Sequence, residues 1–312
     1  MRILFMGTPD FSVPTLECLA NSRHEVIGVV TQPDKPKGRG NTLAMPPVKV
    51  KALELGIPVY QPVKIRSAEY VELLGELKPD VAVVIAFGQI LTKEVLDIPV
   101  YGCVNIHASL LPKYRGAAPI QWAVINGEKE TGITTMMMDE GIDTGDMLEK
   151  LVIAVDPKET GGSLFDKLSL AGSELILSTL DKLEQGTLRP TPQGEEHVSY
   201  VKMIQKSMGD IDWTLDAVSI ERLIRGLNPW PSAYTRWNGR VLKIWDAEVL
   251  TEEYEGVCGQ VAAIEKDRLL IKTGKGTLAI RSLQPEGKKR MEADAFLRGY
   301  PVAEGTVMER SV

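Results

Sequence analysis

Val81-Ala82-Val83-Val84-Ile85-Ala86 decides how this chain folds. A half-buried strand alternates apolar and polar residues, whereas an unbroken apolar run marks a strand covered on both faces, as in a parallel sheet. Runs of the same kind lie upstream at Ile3-Leu4-Phe5-Met6 and Val26-Ile27-Gly28-Val29-Val30. Helical patterns separate them at residues 11–19, at 48–55 with Gly56 as a stop, and at 70–77. A strand over 102–107, a helix over 119–126 and a strand over 133–138 continue the alternation. This order predicts an α/β fold, a doubly wound Rossmann-like and mostly parallel sheet whose ligands bind beyond the C-terminal ends of its strands.

The texture changes near residue 210. Helical patterning extends over 159–183, and then Arg189-Pro190-Thr191-Pro192-Gln193-Gly194 reads as a linker. Beyond it lie a short helix (217–227) and short strands at 241–245, 259–264, 269–272 and 277–280, separated by Gly, Asn and charged turns. That spacing predicts a small C-terminal β-barrel, OB-like in kind. The expected division is a catalytic domain over 1–190, a linker over 191–207 and the barrel over 208–312, as suits a chain of 312 residues.

Composition narrows the function classes. With 44% hydrophobic and 25% charged residues, the chain reads as a globular protein, without a secretory segment or an apolar run long enough to span a bilayer. Cys18, Cys103 and Cys258 lie far apart and form no C-x-x-C, so neither a metal site nor a disulfide framework is expected, and the cytoplasm is the expected compartment. Cys103 reads as a small buried hydrophobe in preference to a nucleophile. A net charge of −6 disfavours a nucleic-acid partner for the chain as a whole. Two local stretches run against that sum: Asp34-Lys35-Pro36-Lys37-Gly38-Arg39-Gly40-Asn41, and Lys288-Lys289-Arg290.

The chemistry concentrates at Asn105-Ile106-His107-Ala108-Ser109-Leu110-Leu111-Pro112. Residues i and i+2 of a strand share a face, so the Asn105 amide and the His107 imidazole point the same way. Asp143, in the Gly-rich loop Gly141-Ile142-Asp143-Thr144-Gly145-Asp146, is placed to join them from the end of another strand. An amide donor, an acid/base ring and a carboxylate suit acyl transfer, in which an oxyanion is held and protons move. No G-x-S-x-G elbow is present, which favours direct transfer between two bound substrates over a covalent enzyme intermediate. Gly7-Thr8-Pro9-Asp10 lacks the spacing of a dinucleotide loop, and His24 and His197 read as surface residues.

The motif Asn105-x-His107-x-Ser109-Leu110-Leu111-Pro112 with Asp143 resembles the signature of the 10-formyltetrahydrofolate-dependent formyltransferases. Thr31-Gln32-Pro33-Asp34-Lys35-Pro36-x-Gly38-Arg39-Gly40, Lys113-x-Arg115-Gly116-Ala117-Ala118-Pro119-Ile120 and Ile224-Arg225-Gly226-Leu227-Asn228-Pro229-Trp230-Pro231 are similar to the branch of that family acting on methionyl-tRNA.

The resemblance implies 10-formyltetrahydrofolate as co-substrate, the α-amine of initiator methionyl-tRNA as acceptor, and no metal. It implies that Asn105 and His107 stabilise the oxyanion while Asp143 orients His107 and helps move protons. The folate is expected near Phe87, Gly88, Gln89, Ile90 and Leu91, and near Ser109, Leu110, Leu111 and Pro112. Arg39 is expected at the tRNA acceptor end, on a loop that orders on binding. Lys35 and Lys37 would touch phosphates, and Lys288, Lys289 and Arg290 would add a face of the barrel. A formyltransferase acting on a small amine such as glycinamide ribonucleotide is the alternative; a folate- or nucleotide-binding module without catalysis is the reading from another class. A monomer is the default expectation.

Overall fold

The apolar run becomes β4, the middle strand of a seven-stranded sheet, in the computed structural model, which describes residues 1–37 and 42–310. The sheet comprises β1 (Arg2–Gly7), β2 (Glu25–Val30), β3 (Val59–Tyr60), β4 (Val81–Ile85), β5 (Cys103–His107), β6 (Glu130–Met137) and β7 (Met147–Ala154). Their spatial order is β7-β6-β5-β4-β1-β2-β3. β1 to β5 run parallel, and the chain reverses its direction of travel between β1 and β4, the switch point of a doubly wound sheet. Every residue of β4 is buried, as a strand covered on both faces requires.

One cover is the helix Gly161–Glu184. Its Gly172 approaches Ile106 so closely that a Cβ there would lie 3.0 Å from the Ile106 side chain. Ile106 points toward that helix, so Asn105 and His107, the alternate residues of β5, point to the other face. Phe165 of the same helix meets Phe11 edge-on with ring centroids 5.0 Å apart.

β6 departs from the expected topology. It runs antiparallel to β5, pairing Val104 with Met137 and His107 with Thr134. The end of β6 is therefore level with the start of β5, not with His107. At ~3.3 Å per residue, the following loop must double back about 10 Å to bring Asp143 to the histidine. The strand's apolar pattern reports burial and carries no direction, which is why the reversal was not expected. β7, which pairs antiparallel with β6, also escaped the sequence reading.

The chain forms two compact units. The first holds Met1–Gly116, Glu130–Ala154 and Phe165–Val201; the second holds Ala117–Lys129, Val155–Leu164 and the chain from Lys202 onward. Of the residues read as a linker, 191–201 pack into the first unit and 202–207 into the second.

In the second unit, β8 (Ala233–Trp237), β9 (Arg240–Leu250), β10 (Val261–Ile264), β11 (Leu269–Lys272) and β12 (Thr277–Pro285) form an antiparallel sheet in the order β8-β9-β12-β11-β10. The two edge strands meet through the chain's last described residues. Val307 bridges Gln260 beside β10, and Glu309 bridges Arg236 of β8, closing the sheet into a ring. Inside lie Leu242, Ile244, Leu278, Ile280, Leu283, Phe296 and Met308. The helix Ala217–Gly226 adds Ile220 and Ile224, and its N-terminus is capped by Asp216, which accepts the Ser219 N–H at 2.9 Å. The helix Pro119–Ile125 packs on it, and only a glycine at 226 permits this, since a Cβ there would lie 2.4 Å from Ile125.

His24 was expected at the surface and is buried instead, with 6% exposure. The residue after it, Glu25, pairs with Arg2 of the first strand, which draws the ring inward. His197 is exposed as expected. No helix among the described residues is long and apolar enough to cross a membrane.

Candidate active site

Asn105 and His107 lie on β5 two residues apart, on the face turned away from the helix Gly161–Glu184. The imidazole is buried, with Nε2 2.9 Å from the carbonyl oxygen of Tyr114 and Nδ1 3.6 Å from Oδ1 of Asp143. A carbonyl only accepts, so the ring donates from Nε2, and that bond selects the tautomer. Nδ1 is left facing the carboxylate. Among the described residues the Asn105 side-chain amide has no hydrogen-bond partner, so it stands free to donate.

Asp143 reaches the histidine because its loop is folded tightly. Oδ1 of Asp139 accepts the Gly141 N–H (3.0 Å) and the Thr144 hydroxyl (2.7 Å). Gly145 passes against Met137, where a Cβ would lie 1.7 Å from the carbonyl oxygen. Asp143 itself adopts φ 54°, a left-handed conformation uncommon for a residue with a side chain. Its second carboxylate oxygen accepts the Gly116 N–H at 2.7 Å. Gly116 has φ +99°, and a Cβ there would meet the Val201 carbonyl at 2.6 Å.

The turn after His107 is held from within. Thr134 on β6 donates its hydroxyl to the Ser109 carbonyl (2.7 Å) and accepts the Leu111 N–H (3.1 Å), while Ser109 donates to the Lys113 carbonyl (2.6 Å). Ser109 and Leu111 are buried, leaving Leu110 and Pro112 partly exposed. The loop after β4 sorts in the same way. Phe87 and Leu91 join the core, and the Gln89 amide binds the Ile65 N–H and the Pro62 carbonyl, both at 2.9 Å. Gly88, at φ +83°, and Ile90, 77% exposed, face solvent.

Cys103 is not a nucleophile in this arrangement. It is buried in the core, and burial pushes its thiol up to about 12, so thiolate is scarce at neutral pH. Among the described residues, no cluster of three or more His, Cys, Asp or Glu side chains is placed to hold a metal ion.

The basic stretch begins as an antiparallel pair, Lys35–Lys37 with Thr42–Ala44. Its base is pinned by Asp34, which accepts from Gln61 Nε2 (2.7 Å) and from Lys49 Nζ (2.9 and 2.8 Å). Those two partners, Gln61 first, hold the Asp34 carboxyl below its usual range through their hydrogen bonds. Lys35 is exposed; Arg39 and the side chain of Lys37 lie outside what the structure describes. Lys288, Lys289 and Arg290 form an exposed turn of the second unit. Arg290 is engaged there: Nε donates to Ser282 Oγ (2.9 Å) and the guanidinium lies 5.6 Å from the Trp245 ring centroid.

Sequence reasoning passed over Gln193, whose amide contacts both the Asp143 loop and Arg115. The signal was a glutamine inside a Pro/Gly stretch, where a solvated residue is the ordinary reading.

The sequence matches the family model described as formyl transferase over residues 1–180, and that described as formyl transferase, C-terminal domain, over residues 203–301. It is 57% identical over 308 residues to the methionyl-tRNA formyltransferase of Agathobacter rectalis, covering 98% of this chain and 99% of that one. Among solved structures, WlaRD, a sugar 3N-formyl transferase in the presence of dTDP and 5-N-formyl-THF, aligns with a TM-score of 0.68 at 20% identity, over 93% of this chain and 99% of that one. HypX from Aquifex aeolicus in complex with tetrahydrofolic acid aligns at 0.62 and 21% identity, over 96% of this chain and 47% of that one. At such identities the likeness to the solved structures is one of fold.

Proposed function

This chain belongs to the formyl transferase family, and from that premise we propose that it carries a formyl group from 10-formyltetrahydrofolate to the α-amine of initiator methionyl-tRNA. It acts in the cytoplasm, before translation begins. The observation that carries the chemistry is the buried His107 facing the half-buried Asp143, beside an Asn105 amide with no partner among the described residues.

The acceptor amine attacks the formyl carbon, and the carbonyl oxygen gains negative charge in a tetrahedral intermediate. Asn105 donates its side-chain N–H to that oxygen; losing one donor of this kind costs about 2.7–4 kcal/mol of barrier. His107 has Nε2 committed to Tyr114, so it acts through Nδ1. The proton leaving the attacking nitrogen passes to Nδ1, and Asp143 stabilises the imidazolium that forms. The proton then goes to the donor nitrogen as its bond to carbon breaks. The structure thus favours Asn105 as the principal oxyanion donor, where the resemblance implied Asn105 and His107 together. Holding amine and carbonyl in contact supplies much of the remaining rate.

The folate donor fits the loops around this pair. Gly88 offers open backbone, and Ile90, Leu110 and Pro112 offer apolar surface for a flat ring, while Phe87, Gln89, Ser109 and Leu111 hold the loops in shape. Lys35 and its neighbours Lys37 and Arg39 meet the acceptor end of the tRNA, and the ring-closed barrel, with Lys288 and Lys289, holds its arm. A small-amine acceptor leaves that hairpin and barrel without a role, and the full-length relatives carry the tRNA-specific name.

Supplying 10-formyltetrahydrofolate with either methionyl-tRNA or glycinamide ribonucleotide tests the reading. Formyl transfer to the tRNA alone is the expected result. Equal turnover of both acceptors would overturn it.

A further inference from the structure

Gln193 makes four side-chain hydrogen bonds from a stretch that reads as linker. Its amide nitrogen donates to the carbonyl oxygens of Asp143 (2.9 Å) and Gly145 (2.8 Å). Its amide oxygen accepts from Nε (3.0 Å) and Nη2 (2.8 Å) of Arg115. Arg115 is buried and anchored in turn by the Tyr200 hydroxyl, 3.1 Å from Nη1. The glutamine therefore ties the backbone of one segment, 143–145, to another, 114–116, through the Arg115 side chain.

Those two segments supply what fixes the catalytic pair. Tyr114 gives the carbonyl that binds His107 Nε2, Gly116 gives the N–H that binds the Asp143 carboxylate, and Asp143 stands at the other end of the tie. Asp143 also holds a left-handed backbone, which costs on the order of 1–3 kcal/mol and persists only where the surroundings enforce it. Two carbonyls can only accept and a guanidinium can only donate, so the joining group must offer both at one point. A primary amide does this; a carboxylate, an ammonium or an apolar side chain does not.

We propose that Gln193 is a positioning residue for formyl transfer, setting Asp143 against His107 from outside the reacting groups. The proposal rests on the catalytic reading of that pair.

A double-mutant cycle in the full chain tests it, with Gln193→Met, Asp143→Asn and the combined variant assayed both at steady state and under single turnover. Gln193→Met should lower kcat about 10²-fold, the loss typical of a misplaced catalytic group, with KM for both substrates changed less than about threefold. It should also displace the pH–rate profile. In the Asp143→Asn background the same change should have little further effect. An equal loss in both backgrounds, or a loss confined to KM, would overturn the positioning role. Full activity of Asp143→Asn alone would instead remove the reading beneath it. Should Gln193→Met not fold, Gln193→Glu serves, since it keeps the length and the Arg115 contact while setting a carboxylate against two carbonyl oxygens; activity equal to the parent would refute the proposal.

Discussion

One carboxylate oxygen of Asp143 accepts the Gly116 N–H at 2.7 Å, and this bond holds the other oxygen 3.6 Å from Nδ1 of His107. Asparagine at this position keeps an oxygen for Gly116 and removes the charge that faces the ring. Asp143→Asn should therefore melt within a few degrees of the parent and lose about 10²–10⁴-fold in kcat, the range of a general acid–base contribution. Thermal denaturation beside single-turnover formylation checks both halves.

Asn105 offers a cleaner separation of catalysis from folding. Its amide has no hydrogen-bond partner among the described residues, so truncation removes no internal bond. Asn105→Ala should reduce kcat about 10²–10³-fold while leaving the denaturation midpoint nearly unchanged. A variant with full turnover would end the oxyanion assignment.

Asp34 gives a pH-dependent handle on the basic hairpin. Its folded-state carboxyl titrates below the ordinary 3.8, chiefly through the Gln61 hydrogen bond and then through Lys49. The anchoring is therefore fully present above that ordinary value and lost as pH falls through the lowered one. At neutral pH, Asp34→Ala should raise KM for methionyl-tRNA and leave KM for the folate donor unchanged. Amide exchange in Lys35–Lys37 and Thr42–Ala44 should quicken in the same variant.

Cys103 should resist alkylation in the native protein, since it is buried and its thiol is pushed up to about 12. Iodoacetamide followed by peptide mapping should label it only after denaturation. Cys103→Ala should retain kcat within about twofold, because an inert buried thiol takes no part in the chemistry.

Met308 tests the ring closure of the second unit. It is 2% exposed and its N–H donates to the Gly259 carbonyl at 2.8 Å. Met308→Ala should cost about 2–5 kcal/mol in urea denaturation, as for other buried large-to-small changes. A loss below ~1 kcal/mol would show that the side chain contributes little to the barrel core.

The apolar run at β4 made the sheet legible, because burial on both faces leaves a one-dimensional trace. Asn105 and His107 were legible for a related reason, the two-residue period of a strand. The direction of β6 was not, since Thr131 to Met136 are buried whichever way the strand runs. The doubling back of the 138–146 loop was visible only as Gly141 and Gly145, which signal tight backbone without saying where it leads. Gln193 left no trace, because an amide that joins two segments far away in sequence has no local pattern. The strand-like bridges of Val307 and Glu309 are likewise too short to show a period.

The second unit is assembled from three stretches, and two of them, Ala117–Lys129 and Val155–Leu164, fall in sequence between stretches of the first unit. Recombination between relatives at a single crossover near residue 202 would pair a new helix Ala217–Gly226 with an old helix Pro119–Ile125, across a contact that tolerates no Cβ at Gly226. The second unit is thus inherited in three pieces, and a chimera that keeps its packing has to exchange all three stretches at once.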